Sequence, residues 1–489
     1  MPGGLIQLAT YGAHDFYLTN QPQISYFKSV YRRYTNFATE MIEVSPTIEG
    51  RNLQTTGDID LTFEIPRDAD LVKSVFFTFT LPAIFSNHTY TGGRKFNWVQ
   101  RIGEVIIKHV SLEIGGREID KHYGEWLQIW SELTMTEAQK DGYNRMIGNV
   151  VEMYDPEAIE NIDGYPASYN STIPSIRSRK IYVPMRFFFN ESYSQALPLI
   201  AMQYDSAPKL VFKLRPLEEL YTIVDTDRKK PTTTTANHNF GYYISHQSET
   251  SVSSYDINPN LEVEYIFLDR DERKRFALSE HQYLIHQVQY REDTIAPSTI
   301  DSEVTKDLDM THPITELVWI ARRGDHEDAN IWHNYTNWPT TLDPLRTYTA
   351  GTDSNPYGRH GLTAQDNSSY LEQNIIVNSV LKLNGFERFA NKSWEMFNLV
   401  NNYQHCERIP TVGINTYSFA LAANNPKQPS GSINFSRFNT IELRNTYNKK
   451  CSKDIFGTTD AYNYRLMVFG RNINVFRIIG GMSSIEFSN

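Results

Sequence analysis

The feature that most constrains this fold is a strand and tight turn that occurs twice, 270 residues apart. The first copy reads "SLEIGGREID" at residues 111–120, and the second reads "LKLNGFERFANK" at residues 381–392. In both, apolar and polar residues alternate up to a turn that contains glycine. Alternation with period two is typical of a strand that buries one face. The repeated unit therefore predicts two similar β domains in one chain.

Period-two patterns recur along the rest of the sequence. They occur in "IDLTFEIP" (59–66), "KLVFKL" (209–214) and "LEVEYIFL" (261–268), whereas helical patterns are confined to 123–143, 271–280 and 390–400. Aromatic residues make up 13% of the chain, which suits pleated sheets. We predict an all-β protein with a few short helices.

The domain boundaries are predicted from a polar stretch in the middle of the chain. Residues 217–259 are rich in Ser, Thr and Asn and carry no sustained apolar period, which is typical of a linker. This stretch separates a first β domain at 25–216 from a second at 260–489, and residues 1–24 form an N-terminal arm. At a fixed offset of 231, Pro198 coincides with Pro429. This correspondence predicts a similar strand order in the two domains.

Charge and motif content argue against several functions. The formal net charge is −10, which disfavours close packing against DNA phosphate, so we expect no direct genome binding. The two cysteines form no disulfide framework, and the N-terminus has neither a charged leader nor a long apolar run. We therefore expect a soluble chain made in a reducing cytosol. No nucleophile elbow, phosphate loop or metal-ligand cluster is evident, so we assign no catalytic, cofactor-binding or metal-binding residue.

Several long blocks of the sequence closely resemble the major capsid proteins of nucleocytoplasmic large DNA viruses, especially those of algal and protist viruses. The blocks include "GGLIQLATYGAHDFYLTNQPQISYFKSVYRRYTNFATE" (3–40), "VSLEIGGREIDKHYGEWL" (110–127), "FFFNESYSQALPLIAMQY" (188–204), "EYIFLDRDERKRFA" (264–277), "LKLNGFERFA" (381–390), "YSFALAANNPKQPSGSINFSR" (417–437) and "NINVFRIIGGMSSIEFSN" (472–489). They keep their order from the N-terminus to the C-terminus. The linker, residues 133–179 and residues 321–372 do not match well.

The resemblance implies a double jelly-roll, in which two eight-stranded antiparallel β-sandwiches lie side by side with a few short helices and long surface loops. It implies a structural protein of the outer capsid shell, made and assembled in the host cytoplasm, with no enzymatic activity and no cofactor. It also implies homotrimeric, pseudo-hexagonal capsomers that contact neighbouring capsomers, minor capsid and penton proteins, and the internal membrane beneath the shell. The alternatives are a cytosolic β-sandwich lectin or glycosidase and a minor capsid paralogue.

Two sets of residues are candidate contact or modification sites. Lys28, Arg32 and Arg33 have no acid nearby, and the resemblance places them toward the capsid interior, so they are candidates for a basic contact there. Asn334 and Asn367 belong to glycosylation sequons within 321–372. We expect this stretch to be a long loop on the outer surface, available for glycans or for attachment.

Overall fold

The structure is a computed structural model that describes residues 3–47, 52–85, 95–154, 156, 174–224, 239–244, 252–296, 302–337, 373–448 and 462–487. The chain divides into two compact units, Met1–Phe37 and Ala38–Asn489.

The first unit has no core of its own. It contains two short helices, α1 (Gly3–Ala9) and α2 (Ala13–Thr19), and all of its described residues are exposed. The Gly12 N–H donates to Asp15 Oδ2 at 3.0 Å, which caps the start of α2. The arm predicted at residues 1–24 stays a prediction. The first unit continues to residue 37, where the first strand begins.

The second unit is built mainly from strands. Its strands are β1 (Phe37–Val44, which begins in the first unit), β2 (Asn52–Gln54), β3 (Ile59–Glu64), β4 (Leu71–Leu81), β5 (Lys95–Trp98), β6 (Ile107–Ile114), β7 (Arg117–Tyr123), β8 (Arg179–Pro184), β9 (Leu197–Pro198), β10 (Lys209–Leu214), β11 (Tyr221–Val224), β12 (Ser254–Asp256), β13 (Asn260–Leu268), β14 (His281–Ile295), β15 (Ser302–Asp307), β16 (Pro313–Arg323), β17 (Ile376–Leu383), β18 (Phe386–Ser393), β19 (Ile414–Ser418), β20 (Ile433–Asn434), β21 (Ile441–Tyr447), β22 (Tyr464–Ile479) and β23 (Met482–Ile485).

Short helices connect these strands. They are α3 (Ile102–Val105), α4 (Gly124–Thr134), α5 (Glu137–Met146), α6 (Val151–Tyr154), α7 (Phe188–Glu191), α8 (Gly241–Ile244), α9 (Arg270–Leu278) and α10 (Asn401–His405). A π-helical turn, Met396–Val400, leads directly into α10. Within the described ranges, none of the helices has the length and apolar character needed to cross a bilayer.

The two sandwiches have the same topology. In the first, the sheets have the strand orders β1-β13-β4-β8 and β3-β10-β6-β7, and in the second the orders are β14-β22-β16-β19 and β15-β21-β17-β18. The added strands also correspond, since β9 pairs with β4 and β20 pairs with β16. Each sandwich is therefore an eight-stranded jelly-roll. The predicted double jelly-roll and the predicted similarity of strand order are confirmed.

Strand pairing corrects the predicted domain boundary. β13 was assigned to the second domain, but it pairs with β4 in the first, with Leu261 opposite Phe77. The predicted linker at 217–259 also contains paired strands, because β11 pairs with β5 and β12 pairs with β2. Alternation identifies a strand without identifying its partner, which is why the sequence prediction placed the boundary too early.

The repeated turn is a two-residue hairpin loop in both sandwiches. Gly115 and Gly116 have φ values of 61° and 75°, and Asn384 and Gly385 have values of 49° and 82°. Two consecutive left-handed residues are typical of a type I′ turn, which favours Asn and Gly. The turns join β6 to β7 and β17 to β18, as the sequence repeat predicted.

Aromatic side chains fill the space between the sheets of the first sandwich. Phe77 stacks on Phe212 with ring centroids 4.7 Å apart, and Phe63 meets Phe212 edge-on at 5.6 Å. All three are fully buried. Their alternation with polar neighbours in β3, β4 and β10 directs one face of each strand into this core.

Candidate assembly surfaces

The functional features of this chain are extended surfaces, and the best defined is the seam between the two sandwiches. Helix α4, which directly follows β7, lies against the outer face of the β14-β22-β16-β19 sheet. Trp126 of α4 packs on Phe469 with ring centroids 5.3 Å apart. The buried apolar residues of this seam are Trp126, Ile129, Trp130, Leu133, Val318, Ile320, Tyr335, Ile414, Met467 and Phe469. An apolar cluster of this kind holds the two sandwiches together as one body.

Strands β7 and β14 meet at the edge of the same seam. The Val288 N–H donates to Asp120 Oδ1 at 3.0 Å. The rings of Tyr123 and Tyr290 lie 4.0 Å apart between centroids. The seam therefore combines a strand-to-strand contact with a helix that covers the neighbouring sheet.

Buried charges also cross the seam. Glu125 Oε1 lies 3.1 Å from Arg215 in the first sandwich and 3.2 Å from Arg322 in the second. Burial acts to raise the pKa of Glu125, but the two guanidinium groups outweigh it and hold the pKa at about 2. The carboxyl of Glu125 is thus ionised and shared between two sandwiches.

A second group of ion pairs lies along α4 and its surroundings. Glu132 contacts Arg101 at 2.8 Å and also contacts Arg408 from the second sandwich. Arg471 of β22 contacts Glu191 of α7 at 2.7 Å. These seam residues were missed in the sequence analysis, because partners such as Glu191 and Arg471 are 280 residues apart. No local pattern in a single sequence links two such positions.

Among the described residues, the surfaces equivalent to the seam carry exposed or half-buried apolar side chains. In the second sandwich, β18 corresponds to β7, and the helical segment 396–405 corresponds to α4. Phe386 of β18 is 81% exposed and Tyr403 of α10 is 80% exposed. In the first sandwich, the outer face of β4 carries the half-buried Phe76. Phe76 of β4 occupies the position that Val318 occupies in β16. Leu71 pairs with Pro198 of β9, and Pro313 pairs with Asn434 of β20. Phe76 and Val318 lie five residues after Leu71 and Pro313, respectively.

The three basic candidates in the arm lie on exposed backbone. Lys28, Arg32 and Arg33 belong to the first unit, where all three are exposed. Their contact toward the capsid interior stays a prediction.

The expectations for 321–372 need correction. Residues 321–323 complete β16, and most of 324–337 is buried rather than on the outer surface. Asn334 is only 2% exposed, and its Oδ1 accepts hydrogen bonds from the backbone and side chain of Thr336 at 3.0 and 2.7 Å. The prediction that Asn334 is a surface glycosylation site is therefore wrong for the folded chain, because its side chain is enclosed. Asn367 and the rest of 338–372 lie outside the described residues.

In the part of the chain that the structure describes, no group of three or more His, Cys, Asp or Glu side chains is placed to hold a metal ion. The charged stretch at 269–275 forms the start of α9, where Arg273 contacts Asp70 at 2.9 Å.

Sequence models of two protein families match the chain. One, described as "Major capsid protein N-terminus", matches residues 25–269. The other, described as "Large eukaryotic DNA virus major capsid protein", matches residues 272–484. The division between them falls directly after β13, where the first sandwich ends.

Individual proteins match over the full length. The major capsid proteins of Phaeocystis pouchetii virus and Paramecium bursaria Chlorella virus 1 are each 32% identical to this chain, with 100% of both chains covered. The solved PBCV-1 virus capsid matches with a TM-score of 0.68 and 27% identity, covering 95% of this chain and 100% of that chain. The Faustovirus major capsid protein matches with a TM-score of 0.66 and 13% identity, covering 96% and 94%. At that identity it supports the fold alone.

Proposed function

The chain belongs to the family of large eukaryotic DNA virus major capsid proteins, and on this premise we propose that three copies close into a trimeric, pseudo-hexagonal capsomer. A major capsid protein forms the virion shell and is a structural protein, not an enzyme. This membership replaces the lectin or glycosidase hypothesis and the hypothesis of a minor capsid paralogue.

The observation that carries the trimer is the seam inside one chain. There, β7 and α4 of the first sandwich contact β14 and cover the outer sheet face of the second. The two sandwiches share one topology, so the second sandwich has its own equivalents of β7 and α4, and the first has its own equivalent of the covered sheet. One chain therefore presents two further surfaces of the same kind. The second sandwich presents the equivalents of β7 and α4, and the first sandwich presents the equivalent of the covered sheet.

We propose that the second seam forms between chains. β18 and residues 396–405 of one copy lie against β1 and the outer face of β4, β8 and β13 in the next copy. Tyr403 and Phe386 supply exposed apolar surface from one side, and the half-buried Phe76 supplies it from the other. Equal steps of one-sixth of a turn between neighbouring sandwiches close a ring of six, and six sandwiches are three chains. In a closed cyclic trimer, each of these surfaces contacts the complementary surface of a neighbouring chain.

The outer sides of the ring then remain for contacts with neighbouring capsomers. We propose that minor capsid and penton proteins bind the same shell at its edges and vertices. These contacts have to propagate, unlike the closed contacts within a trimer.

Light scattering on the purified chain tests the trimer. Three chains of 56.6 kDa give about 170 kDa, and negative-stain images of the same peak should have a six-sided outline. The variant Tyr403→Asp places a charge in the proposed contact and should shift the mass to that of one chain. The matched control is Leu278→Asp, because Leu278 of α9 is 87% exposed and lies outside the proposed contact. A wild-type monomer, or a Tyr403→Asp trimer, would contradict the proposal.

A further inference from the structure

The N-terminal arm, residues 3–37, exposes an unusual density of large apolar side chains. Eight of its residues are Tyr or Phe. The exposed fraction is 90% for Tyr26, 101% for Phe27 and 83% for Tyr31. Exposed apolar side chains scattered singly are ordinary, but a contiguous set marks an interaction site.

The charge of the arm differs from that of the rest of the chain. Residues 16–39 contain no Asp or Glu, whereas Lys28, Arg32 and Arg33 all lie within them. The arm has three basic residues and one acidic residue, and the remainder of the chain has 44 basic and 56 acidic residues. The positive charge is thus concentrated in the segment that also exposes the aromatic rings.

We propose that the arm binds an anionic lipid surface. Tyr is enriched at the boundary between lipid headgroups and water, because its ring is apolar and its hydroxyl is polar. Lys and Arg next to such rings are attracted to acidic headgroups. In "SYFKSVYRRYTNF" (25–37) the two residue types interleave, so one short stretch presents both the rings and the cations. The helices of the arm have seven residues each, so the arm lies on the membrane surface and does not span it.

Lipid fits this composition better than DNA does. Affinity for DNA grows with the number of phosphates that the protein neutralises, and the arm offers only three cations. The arm has eight aromatic residues beside its three cations, and the combination of apolar rings with basic residues is typical of interfacial membrane segments. A trimer carries three arms, so a weak contact for one arm becomes a strong one for the capsomer. Only this gain in avidity rests on the proposed trimer.

Co-sedimentation of the purified full chain with vesicles tests the proposal. Vesicles of phosphatidylcholine with phosphatidylserine should bind the chain, vesicles of phosphatidylcholine alone should bind it at least about tenfold more weakly, and added salt should reduce the difference. The triple variant K28Q/R32Q/R33Q and the double variant F27S/Y31S should each weaken binding by about tenfold or more. The matched control is R270Q/K274Q/R275Q, which removes the same charge from exposed positions of α9.

Two outcomes would overturn the inference. One is wild-type binding that does not depend on phosphatidylserine or is unchanged in the arm variants. The other is arm-dependent binding of a DNA oligonucleotide without binding to vesicles. Light scattering on the same samples separates this result from the trimer proposal, since the arm variants should keep the wild-type mass.

Discussion

Glu125 and Arg322 form a buried ion pair that joins the two sandwiches, with Oε1 and Nη1 3.2 Å apart. The two residues lie 197 positions apart in the sequence. Glu125 also contacts Arg215 of its own sandwich, so one carboxylate bridges two buried guanidinium groups, which pair in addition with Glu219 and Glu327. The carboxylate of Glu125 therefore links two ion-pair groups, one from each sandwich.

Removing that carboxylate should be strongly destabilising. We expect Glu125→Gln to lower the free energy of unfolding by about 3 kcal/mol, because two buried arginines each lose one of two carboxylate partners and keep only Glu219 and Glu327. Chemical denaturation followed by tryptophan fluorescence measures the change, since Trp126 and Trp130 lie in the seam. Glu118→Gln, at an exposed position of β7, is the control and should change stability by less than about 0.5 kcal/mol. Equal stability of the two variants would contradict a structural role for Glu125.

The same carboxylate should make the seam sensitive to acid. The pKa of Glu125 is lowered from 4.5 to about 2 in the folded chain. Its contribution to the free energy of unfolding is therefore complete above pH 4.5 and is lost as the pH falls toward 2. The contribution at neutral pH is about 3 kcal/mol. We expect wild-type stability to decline over this window more steeply than that of Glu125→Gln. Denaturation midpoints measured between pH 5 and pH 2.5 compare the slopes, and parallel curves would contradict the assignment.

The hairpin turn of the second sandwich should require glycine. Gly385 has φ +82°, and a Cβ there would meet no atom within 4 Å, so Gly385→Ala tests backbone conformation alone. We expect a loss of about 1 kcal/mol. Gly142 of α5 has the same free space with ordinary helical backbone, so Gly142→Ala should stabilise the chain by about 0.5–1 kcal/mol. Thermal melting of the two variants should show shifts of opposite sign, and shifts of the same sign would argue against the left-handed turn.

The aromatic core of the first sandwich should tolerate truncation poorly. Phe77 is fully buried between Phe63 and Phe212, so Phe77→Ala removes packing and leaves a cavity. The expected loss is about 3–5 kcal/mol. Phe27→Ala in the exposed arm should change stability by less than about 0.5 kcal/mol. If urea denaturation gives similar values for both, the two-sheet core assigned to this sandwich is incorrect.

Local features of the sequence were sufficient to predict the strands and the repeated turn. Residues such as Leu61 and Phe63 alternate with polar neighbours, and this period of two follows from strand geometry alone. The turns at 115–116 and 384–385 were predictable because few residues other than Asn and Gly adopt the left-handed conformation that a type I′ turn needs. The topology of two jelly-rolls was reached through the resemblance to a known family.

Which residues meet across the fold was decided only by the tertiary structure. β13 reads as a strand in the sequence, yet its partner is β4, almost 200 residues earlier. Asn334 belongs to a polar stretch that suggests a surface loop, yet it is enclosed by the fold. Glu125 and Arg322 are ordinary charged residues until the seam buries both of them. Strand character depends on neighbouring residues, whereas pairing, burial and ion-pair formation depend on distant ones, so only the folded chain determines them.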